Sequence, residues 1–424
     1  MKKKYIIFSI VTLVLLVALI TSFNYFKTTN AYIDDSVNNQ TKITKGISMN
    51  LEQTAGAGDY KTVTRSSWPT EGYKFNAELS RCENGSTLSW DDTKKAVIVS
   101  GNLSDKCYVY FDIYQPTLAE YIKSQYTGTQ GENSLYYHNS SLTNGAGDNS
   151  YRYAGASDSV NNYICLGSDE ATCPDANLFR IIGVFGDKTK VIRAKSVGNQ
   201  KWHTSESNTW SSSSLNAYLN GTYLTSLGTI AEKIATTTWK VGGCSWSNIE
   251  TSVPKIVYKN EVGSSASTTT VDKKIGLMYI SDYYYSASPS AWTLVGYNKS
   301  DATKDYSAAK TINWLYLGSK EWTISRVSDE TFSAFIVDGS GHVFSYNVNF
   351  SNFAVRPSFN LDSTVTYVSG DGTKSNPIRI NWLTDSFEKT PVKPGQNGVK
   401  SLTYVERITS FFVLWCGYNR CKYG

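Results

Sequence analysis

The sequence is poor in the residues and motifs on which most enzymes and metal sites depend. It has three histidines among 424 residues and no Cys-x-x-Cys pair, so a zinc site is not expected. It has no Gly-x-Ser-x-Gly nucleophile motif and no His-Glu-x-x-His motif. One Ser-x-x-Lys run, residues 252–255, contains a proline that disfavours the helix such a pair needs. The sequence therefore predicts no catalytic residue, no metal ligand and no cofactor.

Charge is also scarce, whereas aromatic residues are abundant. Charged residues make up 18% of the chain, the net charge is +5, and the basic residues form no stripe, so nucleic acid is not an expected partner. Hydrophobic residues make up 40%, which is typical of a globular protein. The 30 tyrosines and 11 tryptophans favour a recognition surface, because aromatic side chains supply rigid amphipathic contact area.

The first 28 residues are predicted to be a membrane anchor. Three lysines, residues 2–4, precede an uninterrupted apolar run from Tyr5 to Phe23. As a helix this run spans roughly 28 Å, close to the ~30 Å hydrocarbon core of a bilayer. The lysines favour a cytoplasmic N-terminus, so we expect a single-pass protein of the cell membrane with most of its chain outside. A cleavable signal peptide is the alternative.

Seven cysteines are compatible with an exported chain. Cys82 and Cys107 flank a strand-rich segment, and a bond between them would stabilise it by roughly 3–4 kcal/mol. A second bond is expected between Cys165 and Cys173, and residues 416 and 421 are a third candidate pair. Cys244 is then left for a possible intermolecular disulfide.

Composition and periodicity divide the chain into six parts. The small β-module consists of short strands between turn-rich spacers, and the connector begins with a Thr117 and Glu120 capping box. The predicted parts are an anchor (1–28), a stalk (29–63), a small all-β module (64–113), a helical connector and linker (114–150), a head (151–381) and a tail of unknown role (382–424).

The head is expected to be α+β, with an antiparallel sheet and two helices. Asn177–Phe185 and residues 190–195 predict a hairpin that turns at Gly186 and Asp187, and residues 210–221 and about 227–238 predict the helices. Residues 274–280 predict a further strand. Short strands between Trp314 and Leu361 predict a closing meander.

The order of several motifs resembles a family of bacterial surface proteins. These motifs are Leu178–Phe185, Trp210 to Asn220, Ile275 to Asp282, Trp322–Ser325 and Val355–Pro357. The family is similar to the C-type-lectin/sulfatase-modifying-factor superfamily, and the resemblance covers residues 64–381. It implies a C-type-lectin-like head displayed at a cell surface, without implying an activity. The calcium-ligand motifs of sugar-binding lectins and the paired core cysteines of formylglycine-generating oxidases are not present in the sequence.

A long insert between the predicted strands is the expected binding site. Exposed aromatic residues in a loop stack well on sugar rings or peptides. The candidate ligand-binding residues are Tyr283, Tyr284, Tyr285, Trp292 and Tyr297 in the insert, with Trp202 and His203 in a separate loop.

These observations predict an adhesin-like protein that is held in a membrane by its N-terminal helix and recognises an extracellular glycan or protein through its head loops. One alternative is a cell-envelope enzyme acting on cell-wall glycan, for which Asp338 and Asp362 are nominal carboxylates. Another is a structural subunit of a surface assembly linked through Cys244.

Overall fold

The computed structural model describes residues 46–64, 67–69, 72–102, 104–297, 304–350 and 352–381. All of these residues belong to one structural unit. The predicted anchor (1–28), the first part of the predicted stalk, the tail (382–424) and the candidate cysteine pair 416 and 421 lie outside the described residues. None of the helices within the described ranges combines the length and the apolar character that crossing a bilayer requires.

The first module is a mixed sheet with a separate hairpin. Its strands are β1 (Ile47–Glu52), β2 (Tyr60–Val63), β3 (Tyr73–Phe75), β4 (Arg81–Cys82), β5 (Thr87–Asp91), β6 (Ala96–Ser100) and β7 (Cys107–Ile113). The sheet order is β2-β1-β7-β3, with β4 also paired to β7, while β5 and β6 form the hairpin. Strand β1 runs parallel to β7, so residues 47–63 belong to the sheet and are not the predicted stalk.

Alternating apolar residues explain why β1 and β7 pair. Met49 and Leu51 on β1 and Val109 and Phe111 on β7 are buried in the same small core, and the strands are joined in register at Met49 and Val109. The predicted disulfide between Cys82 and Cys107 is confirmed and joins β4 to β7. This disulfide stabilises a module whose own apolar core is small.

The central sheet of the rest of the chain is built around a long hairpin. Its strands are β8 (Leu135–Tyr137), β9 (Tyr151–Tyr153), β10 (Tyr163–Cys165), β11 (Leu178–Phe185), β12 (Lys188–Arg193), β16 (Ile275–Gly276) and β21 (Ser358–Leu361). The order is β16-β21-β12-β11-β9-β8, with β10 also paired to β11. The β11–β12 hairpin turns at Gly186 and Asp187 as predicted, and the disulfide between Cys165 and Cys173 is also confirmed.

A second five-stranded sheet contains the predicted meander. Its strands are β13 (Asn199–Gln200), β17 (Glu321–Arg326), β18 (Ser333–Val337), β19 (Val343–Asn347) and β20 (Phe353–Ala354), in the order β13-β20-β17-β18-β19. Two short pairs complete the strands: β14 (Thr237–Lys240) with β15 (Thr270–Lys273), and β22 (Tyr367–Ser369) with β23 (Arg379–Ile380). Strand β19 is at the edge of its sheet.

The α-helices are short. They are α1 (Leu118–Ser124), α2 (Ser214–Tyr218), α3 (Leu224–Ser226), α4 (Trp246–Thr251), α5 (Pro254–Glu261) and α6 (Ile280–Tyr285). Helix α1 begins with the predicted capping box of Thr117 and Glu120. A π-helical turn, Leu219–Tyr223, joins α2 to α3, and 3-10 turns include Trp210–Ser212, Gly228–Lys233 and Tyr306–Ile312.

The predicted fold class is wrong in several respects. The strands of the head are not all antiparallel, since β17 pairs with β20 in parallel. The described part of the head contains five α-helices where two were expected, and the expected transmembrane helix has no support in the described ranges. One continuous apolar core fills the head and includes both of its larger sheets and α6. The protein is therefore a sheet-rich mixed structure with short helices.

Candidate functional site

Most of the predicted ligand-binding residues are part of the core. Helix α6 is buried along its whole length, so Tyr283, Tyr284 and Tyr285 do not form an exposed loop, and Trp292 and Trp202 are buried as well. A ring inside the core cannot stack on a ligand. The prediction of an exposed aromatic insert is therefore wrong for these five residues.

Internal hydrogen bonds explain why four of these rings are buried. The hydroxyl of Tyr283 donates to the Gly341 carbonyl (2.9 Å) and that of Tyr285 to the Asn144 carbonyl (3.1 Å). The indole N–H of Trp292 donates to Ala287 O (2.9 Å), and that of Trp202 to Thr323 O (3.0 Å). Each polar tip is thus satisfied inside the protein, which makes burial of the ring favourable.

His203 takes part in a local polar arrangement. Its Nδ1 accepts hydrogen bonds from the backbone N–H groups of Thr204 (2.9 Å) and Ser214 (3.3 Å), and its Nε2 lies 3.0 Å from Ser205 Oγ. Partial burial lowers the pKa of His203. These contacts give His203 a structural role at the start of α2.

Tyr297, another predicted ligand residue, lines an open groove in the described part of the head. We call this the aromatic groove; it has a volume of about 450 Å³. Its lining residues are Trp246, Glu250, Tyr297, Val327, Asp329, Glu330, Phe344 and Ser345. Segments far apart in the sequence therefore meet here: the start of α4, the segment after Gly296, the β17–β18 turn and the edge strand β19.

Three partly exposed rings form the apolar wall of the aromatic groove. Trp246 lies 5.6 Å from Tyr297 and 5.2 Å from Phe344, and Tyr297 lies 5.2 Å from Phe344, all between ring centroids. Phe335, which is fully buried, stacks against Trp246 at 6.1 Å and supports it from below. The rings are thus held in place by one another and by the sheet, and do not depend on a ligand for their position.

Carboxylates form the polar rim of the same groove. Glu250 and Asp329 are exposed and Glu330 is half-buried. Asp329 also accepts a hydrogen bond from the backbone N–H of Trp246 (3.2 Å), which links the β17–β18 turn to the first residue of α4. Among the lining residues that the structure describes, three carry negative charge and none carries positive charge. The groove therefore combines apolar ring faces with hydrogen-bond acceptors.

A polar turn adjoins the aromatic groove behind Tyr297. The ring of His342 lies 5.2 Å from that of Tyr297, its Nδ1 lies 2.8 Å from Ser340 Oγ, and its Nε2 lies 3.3 Å from Asp305 Oδ1. Ser340 contacts His342, and His342 contacts Asp305. This is the order of contacts in a nucleophilic Ser-His-Asp triad. The hydroxyl of Ser340, however, is also 2.6 Å from Asp338 Oδ1, to which it donates.

The backbone of this turn argues against such chemistry. The N–H groups of Ser340 (2.8 Å) and His342 (3.1 Å) both donate to Asp338 Oδ1, and that of Gly341 donates to Asp338 O (3.1 Å). A serine nucleophile needs N–H donors that remain available for a developing oxyanion, and this turn uses its own internally. Asp338 therefore stabilises this turn through its side chain.

Asp362, the second carboxylate considered for glycan hydrolysis, and Cys244 also lie in surroundings that the fold explains. Asp362 accepts hydrogen bonds from Thr364 N (3.1 Å) and Thr364 Oγ1 (2.9 Å), which form a local turn. Cys244 forms no disulfide with another cysteine of the described residues; it is buried, and burial raises the pKa of its thiol. Within the described ranges, no group of three or more His, Cys, Asp or Glu side chains is placed to hold a metal ion.

Comparison with known proteins adds one family match. Residues 186–363 match a family described as a domain of unknown function (DUF6273). This part of the chain contains every lining residue of the aromatic groove. No curated protein and no solved structure gives a significant match, so the expected relation to the C-type-lectin/sulfatase-modifying-factor superfamily has no support from them.

Most of the groove was missed by sequence reasoning. Trp246 and Glu250 lie at the start of a short helix, and Asp329 and Glu330 lie in a turn, positions that carry no local pattern for binding. Phe344 and Tyr346 alternate along β19, which indicates one face of a strand but not what the face contacts. Only the long-range packing of the head brings these residues together.

Proposed function

We propose that this protein is a binding protein that recognises a saccharide at the aromatic groove. The proposal rests on one observation: three partly exposed rings that pack against one another (Trp246, Tyr297 and Phe344) lie next to carboxylate side chains in the same groove. Aromatic faces stack on the apolar C–H faces of sugar rings, while carboxylate oxygens accept hydrogen bonds from sugar hydroxyls. The two disulfides support a site of action in an oxidising extracellular compartment.

The charge of the rim favours neutral or amino sugars over acidic ones. Glu250, Asp329 and Glu330 would repel a sulfated or carboxylated saccharide, and no basic residue among the described lining residues compensates. An open groove of about 450 Å³ leaves room for a short segment of a chain rather than enclosing a small molecule. A neutral surface polysaccharide is thus the ligand class that matches the groove best.

The test is binding of the full chain to an array of neutral, amino and acidic saccharides and of peptides. We expect retention on neutral or amino saccharides and about a fivefold loss of affinity on Trp246→Ala or Phe344→Ala, since a stacked ring contributes about 1 kcal/mol. Phe350→Ala is the matched control, because Phe350 is 78% exposed and does not line the groove. Equal loss with the control, or retention on peptides alone, would reject the saccharide assignment.

A further inference from the structure

A lysine and an aspartate meet inside the head, outside the aromatic groove. Lys190 lies in the middle of β12 and Asp282 in the first turn of α6, and the Nζ of Lys190 is 2.5 Å from Asp282 Oδ2. Lys190 is 5% exposed and Asp282 2%. The two residues are 92 positions apart in the sequence, so the contact joins a strand of the central sheet to a core helix.

Aromatic rings surround this pair. The Nζ of Lys190 lies 4.5 Å from the ring centroid of Tyr279, 5.3 Å from that of Trp239 and 5.8 Å from that of Phe185. The same residues line a cleft of about 210 Å³ that connects the pair to the surface. The other charged or titratable residues of the cleft are Arg152, Lys240 and Tyr258.

Two further buried charges act on the pair. Arg152 lines the cleft and is itself paired with Asp148 at 2.7 Å. Glu261 ends helix α5 and accepts hydrogen bonds from the backbone N–H groups of Ile280 and Ser281 (2.9 Å each), directly before Asp282. Burial lowers the pKa of Lys190, although the attraction of Asp282 opposes this shift, and burial raises the pKa of Glu261. Both shifts are in the direction that disfavours the charged form of a buried group.

We propose that Lys190 and Asp282 are joined by an amide bond, an intramolecular isopeptide cross-link between their side chains. The ammonium gives up its proton, the amine lone pair of Nζ attacks Cγ of Asp282, and one carboxylate oxygen leaves as water. The balance is –NH3⁺ plus –COO⁻ giving –NH–CO– plus H2O, with no change of oxidation state and no co-reactant. The two protons that the nitrogen loses leave with that oxygen. The oxygen that remains on Asp282 accepts the Tyr279 N–H, as Oδ2 does now at 2.8 Å.

Burial and proximity both favour this reaction. An ion pair inside a protein loses hydration that its mutual attraction recovers only in part, and the amide removes both charges. Two groups fixed in contact also react with a high effective molarity. The surface pair of Lys195 and Asp175 has the same 2.5 Å separation, but its side chains are 63% and 61% exposed. Water stabilises that pair as ions, so we expect it to remain unlinked.

The test is the intact mass of the purified full chain after reduction of its disulfides. We expect a mass lower by one water molecule than the sequence requires, and a branched proteolytic peptide that joins the segments containing Lys190 and Asp282. Lys190→Arg keeps the positive charge but removes the amine, so the full sequence mass should return. Lys195→Arg, the matched control, should leave the water loss unchanged.

The wild-type measurement decides the proposal without any variant. A full-length protein with the unmodified sequence mass, or with Lys190 and Asp282 recovered in two separate peptides, would overturn it. A water loss that maps to another pair of residues would overturn it equally. Loss of the branched peptide in Lys190→Arg, together with its persistence in Lys195→Arg, would establish the assignment.

Discussion

At the scale of single residues, the buried charges of the head are matched by partners within hydrogen-bond reach. Arg356 donates from Nε to Glu321 Oε1 (2.6 Å) and from Nη2 to Glu321 Oε2 (2.7 Å), with both side chains almost fully buried. Arg180 instead donates to Asn162 Oδ1 (2.7 Å) and the Val160 carbonyl (3.0 Å), and its burial lowers its pKa to about 10. Such groups are costly to bury alone, so removing one partner has a large effect.

The Arg356–Glu321 pair gives the first prediction. Arg356→Met should lower the free energy of unfolding by about 3–5 kcal/mol, because it leaves the Glu321 carboxylate buried without its counter-charge. Urea unfolding of the purified chain measures the loss. Lys195→Met, which breaks the exposed pair with Asp175, should change stability little. Similar losses in the two variants would show that burial does not decide the strength of these pairs.

His138 gives a prediction for pH. The imidazole is fully buried, its Nδ1 accepts the Ala146 N–H (3.1 Å), and Tyr285 and Trp292 pack against its ring at 4.8 and 5.1 Å. Burial, with a smaller effect of the Arg152 charge, holds the pKa of His138 well below its usual range. The unfolded chain therefore binds a proton near pH 6.5 that the folded protein does not, and stability should fall as pH decreases below about 6.5.

The measurement is the free energy of unfolding between about pH 7.5 and 5 for the wild type and His138→Gln. The variant should start less stable but lose less on acidification, so the two curves should converge. His203→Gln is the control, because His203 is only partly buried and should contribute a smaller part of the slope. Parallel curves for the wild type and His138→Gln would contradict the expectation.

At the scale of elements, features set by local chemistry were predictable from the sequence and features set by long-range packing were not. The hairpin of β11 and β12 and the capping box at Thr117 follow from turn residues and from side chains three positions apart. Residues 275–276 do form a strand, but residues 280–285 form a helix instead of leading into an exposed insert. Three consecutive tyrosines carry no periodic pattern, so only their partners across the core reveal that they are buried.

The same dependence on long-range packing explains why residues 47–63 were predicted to be part of a stalk and not of a sheet. Polar and apolar residues alternate along residues 47–52. They form a strand because they pair in parallel with β7, which lies more than fifty residues later in the sequence and contains the buried residues Val109 and Phe111. The partner is remote, and parallel pairing leaves no hairpin turn for the sequence to show. The cysteine pairs were predictable because each pair is close in sequence, with separations of 25 and 8 residues.

The two disulfides give a prediction at this scale. On the loop-entropy model, Cys82→Ser with Cys107→Ser should lower stability by about 3–4 kcal/mol, and Cys165→Ser with Cys173→Ser by about 2–3 kcal/mol, because the second loop is shorter. The first loss should be localised to residues 46–113, whose core is small. Hydrogen exchange of each double variant shows which segments lose stability. Faster exchange across β11 and β12 in the first variant would contradict a local effect.

At the scale of the whole molecule, the connector after the first module is bound to residues near the end of the described chain. Leu118 N donates to Val365 O (2.7 Å), Gln115 Nε2 donates to Tyr367 O (2.8 Å), and the rings of Tyr121 and Tyr367 stack at 3.6 Å. The connector between the modules is therefore fixed by both backbone and side-chain contacts.

Net charge supplies the last prediction, since the molecule and its groove have opposite signs. The chain carries +5 overall, whereas the described groove lining carries three carboxylates and no basic residue. A polyanion would therefore be attracted to the molecule as a whole, and this attraction should weaken as salt shortens the screening length from about 10 Å at 0.1 M to about 3 Å at 1 M. A neutral saccharide stacked on Trp246 and Phe344 involves no net charge, so its affinity should change little over the same range.

Titration of a neutral and a sulfated saccharide at both salt concentrations separates the two modes. If the affinities for both ligands fell in parallel, and Glu250→Gln raised them alike, binding would be a property of the overall charge and not of the groove.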